Sequence, residues 1–163
     1  MTISVRAWRV EDLPAMQAIW NEVVAEGLAF PQEEELDAEG AAVFFGEQSH
    51  CGVAEAEGRQ VGLYILHPNN VGRLGQIANA SYAVAAGWRG RGIGRRLVVD
   101  SLAVAGRMGF RIMQFNAVVA TNRAARALYE SLGFRQLGEI PDAFRLPDGR
   151  YETICPYYMA LGS

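Results

Sequence analysis

The chain has 163 residues, 50% of them hydrophobic and 20% charged, which suits one globular domain over residues 1–163 with a sizeable core. Fifteen basic against eighteen acidic residues give a net charge of -3, which argues against a general nucleic-acid binder, where a basic domain is needed. No uninterrupted apolar run approaches the ~18 residues of a membrane span, and no basic start leads into an apolar run, so the expectation is a cytoplasmic protein with no membrane or nucleic-acid partner.

Residues 3–8 alternate apolar and polar and read as a first, half-buried strand. Asp12 can cap a helix whose first turn holds Pro14 and whose inner stripe is Leu13, Met16, Ile19, Trp20, Val23 and Val24; Gly27 ends it. The apolar loop 28–31 contains Phe30, and either faces a substrate or folds onto the core. Glu33, Glu34 and Glu35 read as a solvated approach to a second helix over residues 38–47. Glu22 and Glu26 lie one turn apart on the first helix, as a solvated face or as an attraction for a cationic amine.

Residues 51–56 and 60–66 read as strands of a hairpin. His67 reads as a turn residue and 68–72 as a long turn. Residues 77–84 form the next strand. It leads into a turn containing Arg89, Gly90, Arg91, Gly92, Ile93, Gly94 and Arg95, and a helical pattern then runs to about Arg107. Residues 110–116 are a strand and Asn122 caps a further helix with inner face Ala125, Leu128, Tyr129 and Leu132, closed by Gly133. Residues 134–140 and 151–161 read as the last strands, and Tyr157, Tyr158 and Met159 as an exposed surface suited to a homodimer contact. The order β-α-α-β-β-β-α-β-α-β-β predicts one α/β domain whose mixed sheet contains a parallel crossover, right-handed by rule. Cys51 and Cys155 match no metal spacing, so two reduced thiols and no metal are expected.

The glycine-rich turn is the chemical signal. Glycines remove Cβ atoms that would hold a ligand away from the backbone, and free N–H groups at a helix start attract phosphate. Arg89, Arg91, Arg95 and Arg96 add four cations. The Walker ending is missing, and the dinucleotide fingerprint fails in both frames, at Arg95 and at Leu97. What remains is Arg-x-x-Gly-x-Gly, filled by Arg89, Gly92 and Gly94. This resembles the acetyl-coenzyme A pyrophosphate loop of the GCN5-related N-acetyltransferases (the GNAT family). The helix from Asn122 through Tyr129 to Gly133-Phe134 resembles that family's second motif, in the matching order.

The resemblance implies a mostly antiparallel mixed sheet, flanked by helices, whose central parallel pair splays to admit the thioester. It implies acetyl-coenzyme A as co-substrate, without a metal. Arg89 to Arg95 would wrap the pyrophosphate, Val84 would hold the pantetheine arm through its backbone, and Asn122 would reach that arm or the reacting centre. A backbone N–H near Val84 would stabilise the oxyanion. Tyr129 would donate a proton or a hydrogen bond to the departing thiolate.

Many family members carry a glutamate base on the strand before the loop; here residues 76–84 hold no carboxylate. Asn79 and Ser81 share one face of that strand, and Asn116 and Asn122 stand nearby. An amide takes no proton at neutral pH, but it binds a carboxylate or holds a water. Such a site favours a weakly basic α-amine near pKa ~8 over a lysine near ~10.4. Asn79, Asn116 and Asn122 together resemble the yeast-type acetyltransferases of proline analogues such as azetidine-2-carboxylate. The reading is an N-acetyltransferase of a small amine, an amino acid or its analogue, with Asn79, Ser81 and Phe30 at the substrate and Tyr129, Asn116 and Asn122 at the chemistry. Its rivals are acetylation of a protein N-terminus or lysine, and a non-catalytic acyl-coenzyme A sensor.

Overall fold

A computed structural model describes residues 2–162, so the two ends of the expected domain, Met1 and Ser163, lie outside the described residues. Among those residues the elements are β1 (Ile3–Ala7), α1 (Leu13–Glu26), α2 (Ala38–Gly46), β2 (His50–Ala56), β3 (Arg59–Pro68), β4 (Ile77–Val84), α3 (Ile93–Arg107), β5 (Ile112–Val119), α4 (Arg123–Ser131), β6 (Arg135–Gln136), β7 (Ile140–Arg145) and β8 (Tyr151–Ala160). The strands form one sheet in the order β1-β2-β3-β4-β5-β8-β6, with β7 also paired to β8. Every pairing is antiparallel except β4 with β5. The expected α/β class and mixed sheet are therefore present. No helix among the described residues is long and apolar enough to cross a membrane.

Side-chain alternation gives each sheet face its own core. Met16, Trp20 and Phe45 of α1 and α2 pack with Leu63, Ile65 and Ala83. Ile93 and Leu97 of α3 pack with Tyr64, Leu66, Ala78, Ala80 and Phe115, and Tyr82 and Val84 join them. Each fully buried large aliphatic or aromatic side chain contributes about 1.5–3 kcal/mol. Because faces alternate along β4, Asn79 and Ser81 lie on the α1–α2 side with Ala83, and Tyr82 lies on the α3 side.

Three local expectations change. Asp12 precedes α1 but caps nothing with its side chain. Its carboxylate accepts from Arg6 at 2.8 and 2.9 Å, from the Arg9 N–H at 2.8 Å and from Gln60 at 3.0 Å. The guanidinium of Arg6 holds that carboxyl down at about 2. Residues 134–140 do not form one strand, because Pro156 lies in the middle of β8. Pro156 accepts from the Leu137 N–H at 2.8 Å and has no N–H to return, so β6 stops at Gln136 and β7 starts afresh at Ile140. On the other side of β8, β5 starts at Ile112 rather than 110 and bulges, Phe115 facing Tyr157 and Val118 facing Cys155. Residues 116 and 117 thus stand opposite Pro156 alone. Tyr157, expected at the surface, is 0% exposed, because β8 is an interior strand; its hydroxyl accepts from the Arg126 Nε at 3.2 Å.

Candidate active site

The parallel pair is joined only at its start, where Ile77 faces Ile112 and Ala78 faces Met113. Beyond that point β4 and β5 diverge, and the gap between them opens into two cavities of about 570 and 390 Å³. They share Ala29, Tyr82, Gly94, Asn122 and Ala124. The smaller one takes lining residues from both sheet faces, Asn79 and Ser81 from one and Tyr82 and Tyr129 from the other. The splay is thus a passage through the sheet.

The larger cavity is lined by Val84, Arg89, Gly90, Gly92, Ile93, Gly94 and Asn122. Gly90 and Gly92 have φ of +77° and +80°, the left-handed region that strains residues with a Cβ. Gly92 is the N-cap of α3 and has no side chain to satisfy the first-turn N–H groups, which stay available to an anion. Ile93 is 1% exposed, its side chain in the core, so it offers the cavity its backbone. Ala85 donates to the Val61 carbonyl at 2.9 Å, and alternation therefore turns the peptide groups of Val84 toward the splay.

The four arginines do not converge as the sequence suggested. Arg89 forms a bidentate pair with Glu26 at 2.5 and 2.7 Å and donates from Nε to the Val84 carbonyl at 3.2 Å. Arg91 lies over Trp88, 4.6 Å from the ring centroid, and Arg95 reaches Ser131 at 3.1 Å; neither lines a cavity. Arg96 turns away and donates to the Ile3 carbonyl at 3.0 Å. Glu22 accepts from the Ala86 N–H at 3.1 Å, so both glutamates of α1, though exposed, are tied to the loop. The Arg89 guanidinium holds the Glu26 carboxyl below its ordinary value.

The smaller cavity is lined by Phe30, Asn79, Ser81, Tyr82, Phe115, Asn116, Asn122 and Tyr129, and none of its lining residues is a carboxylate, lysine, arginine or histidine. Phe30 is both core and wall: it is 8% exposed, its ring lies 4.3 Å from Trp20, and it lines the cavity. The Tyr129 ring makes tilted contacts with Phe115 at 4.5 Å and Phe134 at 5.6 Å, two rings that stack on each other at 4.7 Å. Burial pushes its hydroxyl well above the ordinary phenol range. The Tyr82 hydroxyl is taken by Ser101 at 2.7 Å, and Ser101 donates onward to the Val98 carbonyl.

Asn122 caps α4, its Oδ1 accepting from the Ala125 N–H at 3.3 Å. Asn79 and Asn116 meet through a residue the sequence reading passed over as turn, Asn69, bonded to them at 3.2, 2.7 and 3.1 Å. The Asn69-Asn70 pair after Pro68 signalled a turn, and nothing local signalled its partners. His67 lines neither cavity; its Nδ1 donates to the Pro68 carbonyl at 2.9 Å. No group of three histidines, cysteines or carboxylates that could hold a metal occurs among the described residues.

The geometry offers free first-turn N–H groups beside the larger cavity and an uncharged, amide-lined smaller one that also holds the protonated phenol of Tyr129. Residues 8–134 match the model of the Acetyltransferase (GNAT) family. The N-acetyltransferase aca1 of Schizosaccharomyces pombe is 41% identical over 86 residues, which are 53% of this chain and 41% of that protein, so the chain spans less than half of it. The L-methionine sulfoximine/L-methionine sulfone acetyltransferase of Pseudomonas aeruginosa is 28% identical over 149 residues, 86% of this chain and 85% of that one. The solved structure of a GCN5-related N-acetyltransferase from Kribbella flavida superposes with a TM-score of 0.90 at 38% identity, covering 98% of both chains.

Proposed function

The chain belongs to the acetyltransferase (GNAT) family, and we propose that within it the protein acetylates the α-amine of a free amino acid or amino-acid analogue, with acetyl-coenzyme A as donor. The pyrophosphate lies against the N–H groups of Gly92, Ile93 and Gly94, and the pantetheine arm runs along Val84 into the splay. The amine enters from the opposite sheet face, past Phe30, Asn79 and Ser81. It attacks the thioester carbonyl directly: the N–C bond forms, the C–S bond breaks, and the proton of the amine passes to water. Tyr129 gives its hydroxyl hydrogen to the departing sulfur as a hydrogen bond. Full transfer is uphill, because the thiol titrates near ~8.5 and burial has raised the phenol further. The cysteines take no acyl group: both are buried, and burial pushes the Cys51 thiol up to about 12 and raises that of Cys155.

The observation that carries this reading is the uncharged lining of the smaller cavity. With no side chain to remove a proton, the acceptor must attack as its neutral amine, a form scarcer for a lysine near ~10.4 than for a less basic α-amine. The relative from Pseudomonas aeruginosa, named for amino-acid analogues, supports the same class. Thiol release measured across free α-amino and imino acids, their carboxamides, and peptides offering an N-terminus or a lysine checks it. Free amino acids are expected to turn over fastest. Turnover on peptides alone would move the function to protein acetylation, and acetyl-coenzyme A binding without turnover on any amine would make the protein a sensor.

A further inference from the structure

We infer that Asn69, on the connection between β3 and β4, is the positioning residue that makes the acceptor side of the cleft a hydrogen-bond donor; the inference rests on the acceptor reading just given. Direct pairing of β4 with β5 ends at Ala78 and Met113. Asn79 is the next residue on β4, and Asn116 is the first residue of the bulge on β5. Asn69 bridges them. Its Oδ1 accepts from the Asn116 Nδ2 at 2.7 Å and from the Asn79 Nδ2 at 3.2 Å, and its Nδ2 donates to the Asn116 Oδ1 at 3.1 Å. Its backbone is pinned as well, the N–H donating to the Ile77 carbonyl at 2.7 Å. The amide pair of Asn69 and Asn116 replaces the strand pairing that the splay removes.

The inventory of partners then fixes the polarity. An amide oxygen accepts twice and an amide nitrogen donates twice. The Oδ1 of Asn69 is filled by Asn79 and Asn116, and the Oδ1 of Asn116 is filled by Asn69 and by the Gln114 Nε2 at 3.1 Å. The Oδ1 of Asn79 is engaged by the Ala80 N–H at 2.8 Å. Among the described residues each of the three amides keeps one N–H unspent, whereas a single lone pair, on Asn79, is left; of the three, Asn79 and Asn116 line the smaller cavity. The cluster therefore presents donors to an acidic oxygen group borne by the acceptor, such as a carboxylate, and takes no proton from its amine. Without Asn69 the amides of Asn79 and Asn116 lose their common partner and can turn either end outward.

Two substitutions test this with two readouts. In Asn69→Ala, loss of the bridge raises KM for a free amino acid by about tenfold, the equivalent of about one charge-assisted hydrogen bond, with the KM for acetyl-coenzyme A unchanged. Asn69→Asp still accepts from Asn79 and Asn116, loses the donation to the Asn116 Oδ1 and adds an anion beside the donor face. It lowers the ratio of kcat/KM for the amino acid over its carboxamide by about tenfold, a change that a merely structural role would not produce. An unchanged ratio in Asn69→Asp, or equal rises in both KM values in Asn69→Ala, would overturn the assignment. The second readout needs no acceptor: the side-chain amide signals of Asn79 and Asn116 in the NMR spectrum of the free protein shift in Asn69→Ala. Unmoved signals sink the role of Asn69. A wild-type protein that acetylates no amino acid sinks the acceptor reading and leaves the NMR result to decide on Asn69.

Discussion

A tyrosine hydroxyl in the cleft is free to act only if no neighbour has claimed it. Tyr82 and Tyr129 both line the smaller cavity, and Tyr82 is spent on Ser101. The Tyr129 hydroxyl makes no hydrogen bond among the described residues, and its ring packs at a tilt against Phe115 and Phe134. Its raised pKa keeps it protonated at every working pH, so it serves as donor and not as base. Tyr129→Phe should lower kcat by about 100-fold, the scale of one lost donor to a developing charge, while the Kd for acetyl-coenzyme A stays within about twofold. Equilibrium binding beside steady-state rates checks it, and an unchanged kcat removes Tyr129 from the mechanism. The inward face of this residue is legible in helix spacing with Ala125 and Leu132 and its candidate role in the family resemblance, whereas the loss of Tyr82 to Ser101 is a contact between β4 and α3 that no spacing announces.

At the scale of elements, α1 and the phosphate loop act as one unit. Glu22 holds the Ala86 N–H and Glu26 holds Arg89, across 64 and 63 residues of chain. The pair of Glu26 and Arg89 is roughly two-fifths exposed, so its worth to stability is small, about 0–1 kcal/mol. Its electrostatic effect on a polyanionic coenzyme in the proposed site is larger, because Glu26 lines the larger cavity and neutralises Arg89, the one arginine among the described residues that does so. Glu26→Gln should therefore tighten acetyl-coenzyme A binding by a few-fold at low salt, and the gain should fade as salt screens it. Binding isotherms at two ionic strengths test the sign; weaker binding would mean that holding Arg89 against the Val84 carbonyl outweighs the charge. The β5 bulge belongs to this scale too. Across β8 from the break at Leu137, the bulge of β5 opposite Pro156 brings Asn116 into the cleft region.

At the scale of the whole molecule, the antiparallel half and the mid-sheet parallel crossover followed from element order and hairpin spacing, because each strand and helix carries its own apolar period, whereas the place of β8 between β5 and β6 did not. The glycines at 90, 92 and 94 and the cap at Asn122 were legible for the same reason, being local signals. Asn69, the break at Leu137 and the burial of Tyr157 were not, because each depends on what a distant strand places opposite it. The arginine cluster misled for a related cause: sequence counts charges, while Ile3, Glu26 and Ser131 decide where those charges go. In the proposed reaction one passage through the sheet brings a thioester from one face to an amine on the other without any protein base. The pH dependence of kcat/KM for the acceptor tests it most directly, since that quantity reports ionisations of free enzyme and free substrate. Across a series of amino acids and analogues of differing amine pKa, the account predicts a single rise whose midpoint follows the amine of each acceptor. A midpoint that stays fixed near ~6–7 whatever the acceptor would reveal a base on the protein and contradict it.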